Sequence, residues 1–275
     1  MFEETHSVQQ VESMCHTDGA RMLSRIAAQV LLDSPENAMD RAILKVTRLK
    51  PIPYFRAIMV DGIRGSGKTT LIDGISEKGI ADKGSRVDTE ILTKFLISNG
   101  QDPILSVFSK PSYLPGAIAD TLIFASHHYD RLSFISEIRH SSIKPLLLDR
   151  HTLTFMAIEQ TRLKNFGADQ KQSFVLVDLL SKLWPVPEIS LLLDSISIEE
   201  CDRRIIGKRL ERGNQQRSKL ELDSDKKLIE LIYLIKSGLL HPSTVLASHG
   251  IYYIDAKMNK DKLLDMAIEI IQSSN

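Results

Sequence analysis

The chain of 275 residues has only two cysteines, Cys15 and Cys201, far apart and unaccompanied. That excludes a disulfide framework and a cysteine metal cluster, and it fits a reducing compartment. There is no excess of either charge: Lys and Arg number 35, as do Asp and Glu. A neutral chain does not grip nucleic acid mainly by neutralising phosphates, so a polymeric nucleic acid is not an expected partner. Long apolar runs are also missing. The longest, such as residues 145–148 and 189–193, fall far short of the ~20 that a membrane helix needs. Residues 1–15 carry Glu3, Glu4 and Glu12 but neither Lys nor Arg, unlike a signal or transit peptide. The expectation is a cytoplasmic protein with no membrane partner.

What is present changes character near residue 55. Residues 18–50 read as two helices. Met22, Leu23, Ile26, Val30 and Leu31 recur at helical spacing in the first, and Met39, Ile43, Val46 and Leu49 in the second. Between them, Asp33-Ser34-Pro35-Glu36 supplies a cap, a proline at the first helical position and an acid in the first turn. Beyond residue 55, short apolar segments alternate with longer amphipathic ones. Residues 55–60, 143–148, 189–193 and 250–254 read as buried parallel strands, each followed by an acid: Asp61, Asp149, Asp194 and Asp255. Residues 85–89 give a weaker fifth strand, and a helix begins at Ala117. The predicted organisation is a helical extension over residues 1–54 and an α/β domain over 55–275, with ligands beyond the strand C-terminal ends.

Gly62-Ile63-Arg64-Gly65-Ser66-Gly67-Lys68-Thr69 satisfies G-x-x-x-x-G-K-[ST] at every fixed position. A strand precedes it, and a helix opens with Thr70 behind it. Such a loop turns backbone N–H groups inward around phosphates, and the helix N-terminus adds partial positive charge. Residues 62 and 64–70 are therefore the candidate nucleotide cradle. Lys68 is expected to reach the β- and γ-phosphates, and the Thr69 hydroxyl to ligate Mg²⁺. The cofactors expected are ATP and Mg²⁺.

Other residues bear on what receives the phosphoryl group. No guanine-reading N-K-x-D follows the fourth strand, where the chain reads Leu193-Asp194-Ser195-Ile196. Asp149-Arg150 at the end of the third strand sets a carboxylate for Mg²⁺ beside a guanidinium that clamps phosphate bidentately. Between Arg203 and Lys219 seven cations face the single acid Glu211, and Gly213 to Gln216 interrupt the helix. This reads as a cationic lid that excludes water and neutralises transition-state charge, with Arg209 as its catalytic cation.

The set Asp61-Gly62…Gly67-Lys68-Thr69-Thr70, Leu122-Ile123-Phe124-Ala125, Leu148-Asp149-Arg150-His151, Leu193-Asp194…Arg204…Lys208 and Tyr252-Tyr253-Ile254-Asp255-Ala256 resembles thymidylate kinase and its P-loop deoxynucleotide and deoxynucleoside kinase relatives. The resemblance covers residues 55–275. It implies a P-loop NTPase three-layer α/β sandwich on a five-stranded parallel sheet, an ATP·Mg²⁺ donor, and an acceptor pocket roofed by helices between the second and third strands. It also implies Glu90 as a base towards an acceptor hydroxyl. Beside it, His128 and Arg150 are candidates to line the acceptor pocket, and Phe124 and Phe155 are base-stacking candidates.

The acceptor motifs depart from that family. Its Arg-Glu-Pro-Gly-Gly-Thr stretch is Val87-Asp88-Thr89-Glu90-Ile91-Leu92 here, its P-loop acid is Arg64, and the arginine that contacts its nucleotide acceptor is His128. After Asp149-Arg150, its Ser-Ser-x-Ala-Tyr-Gln becomes Thr154 to Glu159. The leading expectation is an ATP-dependent phosphotransferase acting on a nucleoside monophosphate or close analogue, with thymidylate not preferred; a homodimer is compatible with it. Two alternatives stand beside it: a nucleoside or other small-metabolite kinase, and a nucleotide-binding switch without turnover.

Overall fold

The computed structural model of the protein describes residues 12, 15–86, 113–139, 142–209, 219–240, 247 and 249–274. The chain divides into two compact units. One is Met1–Tyr54, Asp88–Arg139 and Glu159–Pro185; the other is Phe55–Val87, His140–Ile158 and Val186–Asn275.

The second unit holds a five-stranded sheet: β1 (Ala57–Gly62), β2 (Asp82–Arg86), β3 (Leu146–Asp149), β4 (Ile189–Asp194) and β5 (Gly250–Asp255). Their order is β2-β3-β1-β4-β5, and every neighbouring pair is parallel. The α/β class and the five parallel strands predicted from the alternation are what the structure has. β1 and β3 are buried throughout, as continuous apolar runs require when both faces are covered. β1 lies at the centre with β3 on one side and β4 on the other, so the chain order reverses beside its C-terminal end. That is where doubly wound sheets place their ligands.

Strand limits differ from the expectation. The third strand starts at Leu146, not residue 143: Ile143 is 85% exposed, and Pro145 has no N–H to enter the ladder. β2 begins at Asp82, ahead of the predicted residue 85; residues 87–89 of that expectation lie outside the described residues. Asp82 donates its N–H to the Pro145 carbonyl at 3.0 Å. A Cβ on Gly84 would come within 2.5 Å of the Leu147 carbonyl oxygen. This polar segment is therefore an edge strand set by close backbone approach, which periodicity does not report.

α1 (Asp18–Leu31) and α2 (Pro35–Val46) form as the capping and spacing predict. Thr17 caps α1 by accepting from the Ala20 N–H. Met22, assigned to the apolar face of α1, is 45% exposed, while Leu23, Ile26, Val30 and Leu31 are buried. In the same unit α1 packs along α4 (Leu114–Arg139), a helix that begins three residues before the predicted Ala117. From Pro115 to Ser126 every residue of α4 is buried, the mark of a core helix. Ser126 Oγ donates to the Ala20 carbonyl at 2.8 Å and lies 3.0 Å from Ser24 Oγ, joining α1 to α4.

The remaining helices are α3 (Lys68–Glu77), α5 (Thr152–Asn165), α6 (Gln170–Ser181), α7 (Ile198–Arg209), α8 (Lys219–Lys236) and α9 (Lys260–Ser273). Within the second unit α3 packs on β1, β2 and β3, α9 on α3 and β5, and α8 on β4. No helix among the described residues is long and apolar enough to cross a membrane.

Candidate functional site

The central strand delivers its C-terminal end to the glycine loop. Gly62, Gly65 and Gly67 all have positive φ, and Gly67 caps α3 at φ 103° with no side-chain cap. The first N–H groups of a helix have no intrahelical acceptor, so this terminus offers donors and partial positive charge to an anion. A Cβ built on Gly67 meets nothing within 4 Å; the space over the loop is open. Gly65 is different. A Cβ there would lie 2.8 Å from the Cys201 carbonyl oxygen of α7.

Lys68 opens α3 and is buried at 4% exposure. Its Nζ donates to the carbonyls of Gly62 at 2.6 Å and Ile63 at 2.7 Å. Burial and the nearby Arg150 charge pull its pKa down to about 7, against the carboxylates of Asp149, Asp61 and Asp225. Asp61 is fully buried and accepts from the Gly62 N–H at 3.0 Å, the Thr154 N–H at 3.0 Å and the Thr154 hydroxyl. It anchors the loop to the start of α5. Burial raises its pKa, and these hydrogen bonds and Lys68 oppose the rise.

Asp149 ends β3 directly opposite Val60 of β1, and the next N–H, from Arg150, donates to the Val60 carbonyl at 3.1 Å. Arg150 sits at φ 56°, a left-handed conformation that costs a non-glycine residue ~1 kcal/mol or more. Its Nε is buried without a hydrogen-bond partner among the described residues.

Arg64, residues 65–71, Arg150, Arg204, Ile205, Ala256, Met258, Lys260, Leu263 and Leu264 line one cavity of about 500 Å³, within the size range of small-ligand sites. Of the predicted residues, it brings together Arg64, Gly65, Ser66, Gly67, Lys68, Thr69, Thr70 and Arg150. Arg204 and the stretch from Ala256 to Leu264 were not singled out as site residues. Arg204 Nη1 donates to the Ala256 carbonyl at 3.0 Å, tying α7 to the loop after β5. Arg204 has a sequence signal as one of the lid cations and Ala256 as the end of the closing strand motif, while residues 257–264 have none. The residues fit a nucleoside triphosphate: an open glycine cradle, a helix N-terminus and an apolar wall continue into one another. They also fit Mg²⁺, which keeps waters and phosphate oxygens in its shell and needs few protein ligands. Among the described residues no three His, Cys, Asp or Glu side chains cluster as a self-sufficient metal site.

Of the acceptor-side candidates, Arg150 lines this cavity. Glu90 is outside the described residues, and of Arg209 only the backbone, in the last turn of α7, is described. Phe155 is completely buried, and Phe124 is 7% exposed. His128 is buried, its ring centroid 4.3 Å from that of Trp184 in an edge-to-face contact. The first unit contains a charged cluster that sequence reasoning missed. Arg162 pairs with Asp120 and approaches Glu159 at 3.4 Å. All three are buried.

The parallel order, with the glycine loop turning into a helix at the end of the central strand, defines a P-loop NTPase fold. No protein-family model matches the chain. Over 221 residues the chain is 21% identical to a protein named probable thymidylate kinase 1 from Saccharolobus solfataricus, covering 80% of this chain and 98% of that one. Two solved structures share the fold. Thymidylate kinase from Candida albicans aligns with a TM-score of 0.53 at 17% identity, over 80% of this chain and 92% of its own. Deoxyadenosine kinase from M. mycoides aligns with a TM-score of 0.51 at 13% identity, over 79% and 99%. The chain is thymidylate kinase-like in fold.

Proposed function

We propose that the chain is an ATP-dependent phosphotransferase whose acceptor is a nucleoside monophosphate or a close analogue. The observation that carries this reading is the cavity shared by Lys68 and Arg150, with Asp149 on the strand beside the loop. It joins a triphosphate cradle to a guanidinium held in a strained backbone conformation, and such strain concentrates at functional sites. The similarity to enzymes named thymidylate kinase and deoxyadenosine kinase supports the same reading.

In this reading the N–H groups of Gly65, Gly67, Lys68 and Thr69 hold the β-phosphate, and Ser66 and Thr70 complete the loop. Lys68 neutralises charge on the transferring group. Its lowered pKa does not oppose this, because phosphate oxygens favour the charged ammonium. Thr69 and Asp149 hold Mg²⁺, whose chemistry is to neutralise and orient the phosphate oxygens. Arg150 clamps the acceptor phosphate or the transferring group, and Arg209 adds charge from α7. The adenine lies along Arg204, Ala256 and Met258. Phosphoryl transfer needs little covalent help from protein, so positioning and electrostatics are the whole task.

Residues 55–275 carry the phosphotransferase in this reading, and residues 1–54 are an addition whose helices α1 and α2 pack on α4. Two buried cysteines, neither in a disulfide, support a reducing, cytoplasmic setting. The test is incubation with γ-labelled ATP, Mg²⁺ and mixed nucleoside monophosphates. Label in diphosphates supports the reading; ATP binding with no labelled product contradicts it.

A further inference from the structure

Arg64 occupies a variable position of the glycine loop, and the structure commits both of its ends to α8. Its backbone N–H donates to Asp225 Oδ1 at 3.1 Å, and its guanidinium pairs with Glu221. The two acids are four residues apart, so they share one face of the helix. Asp225 is 7% exposed and close enough to favour the charged form of Lys68. Arg64 also lines the cavity of the cradle.

We infer that Arg64, Glu221 and Asp225 form an electrostatic tie that fixes the phosphate cradle against α8, making Arg64 a positioning residue for the donor nucleotide. This rests on the nucleotide reading of the loop proposed above. Two consequences follow from the contacts. The Arg64 N–H is spent on Asp225, so the phosphate donors begin at Gly65, and the loop's first turn is set by a carboxylate outside the loop. The guanidinium also offsets the Glu221 carboxylate beside the loop, on the same helix face as the Asp225 that acts on Lys68. Without it, the Glu221 charge is uncompensated beside the loop and adds to that of Asp225, which disfavours a bound phosphate. The arginine in the loop and the acids on α8 therefore belong together.

Charge reversal tests the tie in the full chain, with ATP·Mg²⁺ binding measured by calorimetry. Loss of a charge-assisted contact predicts a Kd raised ~10-fold in Arg64→Ala. Arg64→Glu puts a third carboxylate at the cradle and is expected to raise Kd ~100-fold or more. The exchange Arg64→Glu with Glu221→Arg restores the pair and is expected to return Kd to within ~3-fold of the parent. Arg64→Lys, the mildest change, keeps charge without the fork and falls between parent and Arg64→Ala. In turnover, KM for ATP rises in Arg64→Ala while KM for the acceptor does not. Parent-like binding by Arg64→Glu, or an exchange variant as weak as Arg64→Glu, overturns the tie. If the parent chain binds no nucleotide, the proposed function fails. The tie is then read from thermal unfolding of the same single and double variants, and additivity between positions 64 and 221 overturns it.

Discussion

The hydroxyl of Thr121 donates to Oε2 of Glu159 at 2.6 Å, linking α4 to the later part of α5 inside the first unit. Oε1 of the same carboxyl is buried without a hydrogen-bond partner among the described residues. Arg162 and, through it, Asp120 are the charged groups around it. Burial pushes the Glu159 pKa from 4.5 up to about 7, more than the Thr121 hydrogen bond lowers it. An acid with a raised folded-state pKa keeps its proton while the unfolded chain releases its own. Stability is therefore greatest below about pH 4.5 as far as this group is concerned. It falls as pH rises towards 7, by up to about 3 kcal/mol, and is flat beyond. Denaturant titrations at pH 5, 6, 7 and 8 check this. Glu159→Gln keeps an acceptor for Thr121 and is expected to flatten the dependence. An unchanged slope in that variant refutes the assignment.

Arg150 predicts a separation of stability from activity. Arg150→Gly removes the left-handed strain at φ 56°, so the variant is expected to be as stable as the parent or ~1 kcal/mol more stable. Phosphoryl transfer, in contrast, is expected to fall at least ~100-fold with the guanidinium gone. Arg150→Lys keeps charge without the fork and falls in between. Thermal unfolding and steady-state rates on the same samples decide it. A variant that loses stability but keeps its rate contradicts the role.

The loop glycines predict two different failures. In Gly65→Ala the new methyl meets the Cys201 carbonyl at 2.8 Å with φ at 90°; the expected result is a destabilisation of ~1–3 kcal/mol. Gly67→Ala meets no neighbour and carries only the backbone strain of its φ, but its methyl enters the open cradle. Its folding is expected to suffer less and its ATP affinity more. Melting curves with and without ATP·Mg²⁺ distinguish them, since bound nucleotide raises the midpoint only where the cradle is intact. The opposite ranking removes the argument from the cradle's shape.

The donor half of the site is legible in the sequence because it is local. Strand, glycine loop and helix run from Ala57 to Glu77 without interruption, and the positive φ of Gly62, Gly65 and Gly67 calls for glycine at those positions. Asp149-Arg150 is legible for the same reason, as a strand end. The α1–α2 pair is equally readable, from its Ser34-Pro35 junction and apolar spacing. What is not legible depends on partners far away in the chain. Arg64 and Glu221 are 157 residues apart, and Thr121 and Glu159 are 38 apart. A charged residue has the same sequence signature whether it is solvated or buried in a pair, so neither contact has a local signal. Edge strand β2 was misjudged because its limits follow from the approach of Gly84 to β3, not from hydrophobic alternation. The wall formed by Arg204 and Ala256 needed the parallel order of β4 and β5.

The acceptor carries the central claim. Three departures from the thymidylate kinase pattern, at Arg64, His128 and Asp88-Thr89-Glu90-Ile91, point away from thymidylate. The His128 ring packs against Trp184, and the Arg64 guanidinium is held by Glu221. Each lost charged hydrogen bond to a substrate costs roughly 1.5–3 kcal/mol. The decisive measurement is kcat/KM with ATP·Mg²⁺ across thymidylate, other nucleoside monophosphates, nucleosides and small alcohols, with Lys68→Ala in parallel. The account predicts that a monophosphate other than thymidylate is the best acceptor, with kcat/KM on the order of 10⁴ M⁻¹s⁻¹ or better, and that Lys68→Ala abolishes the transfer. Thymidylate as the best acceptor contradicts the reading of the acceptor side, and tight ATP binding without transfer to any acceptor contradicts the phosphotransferase itself.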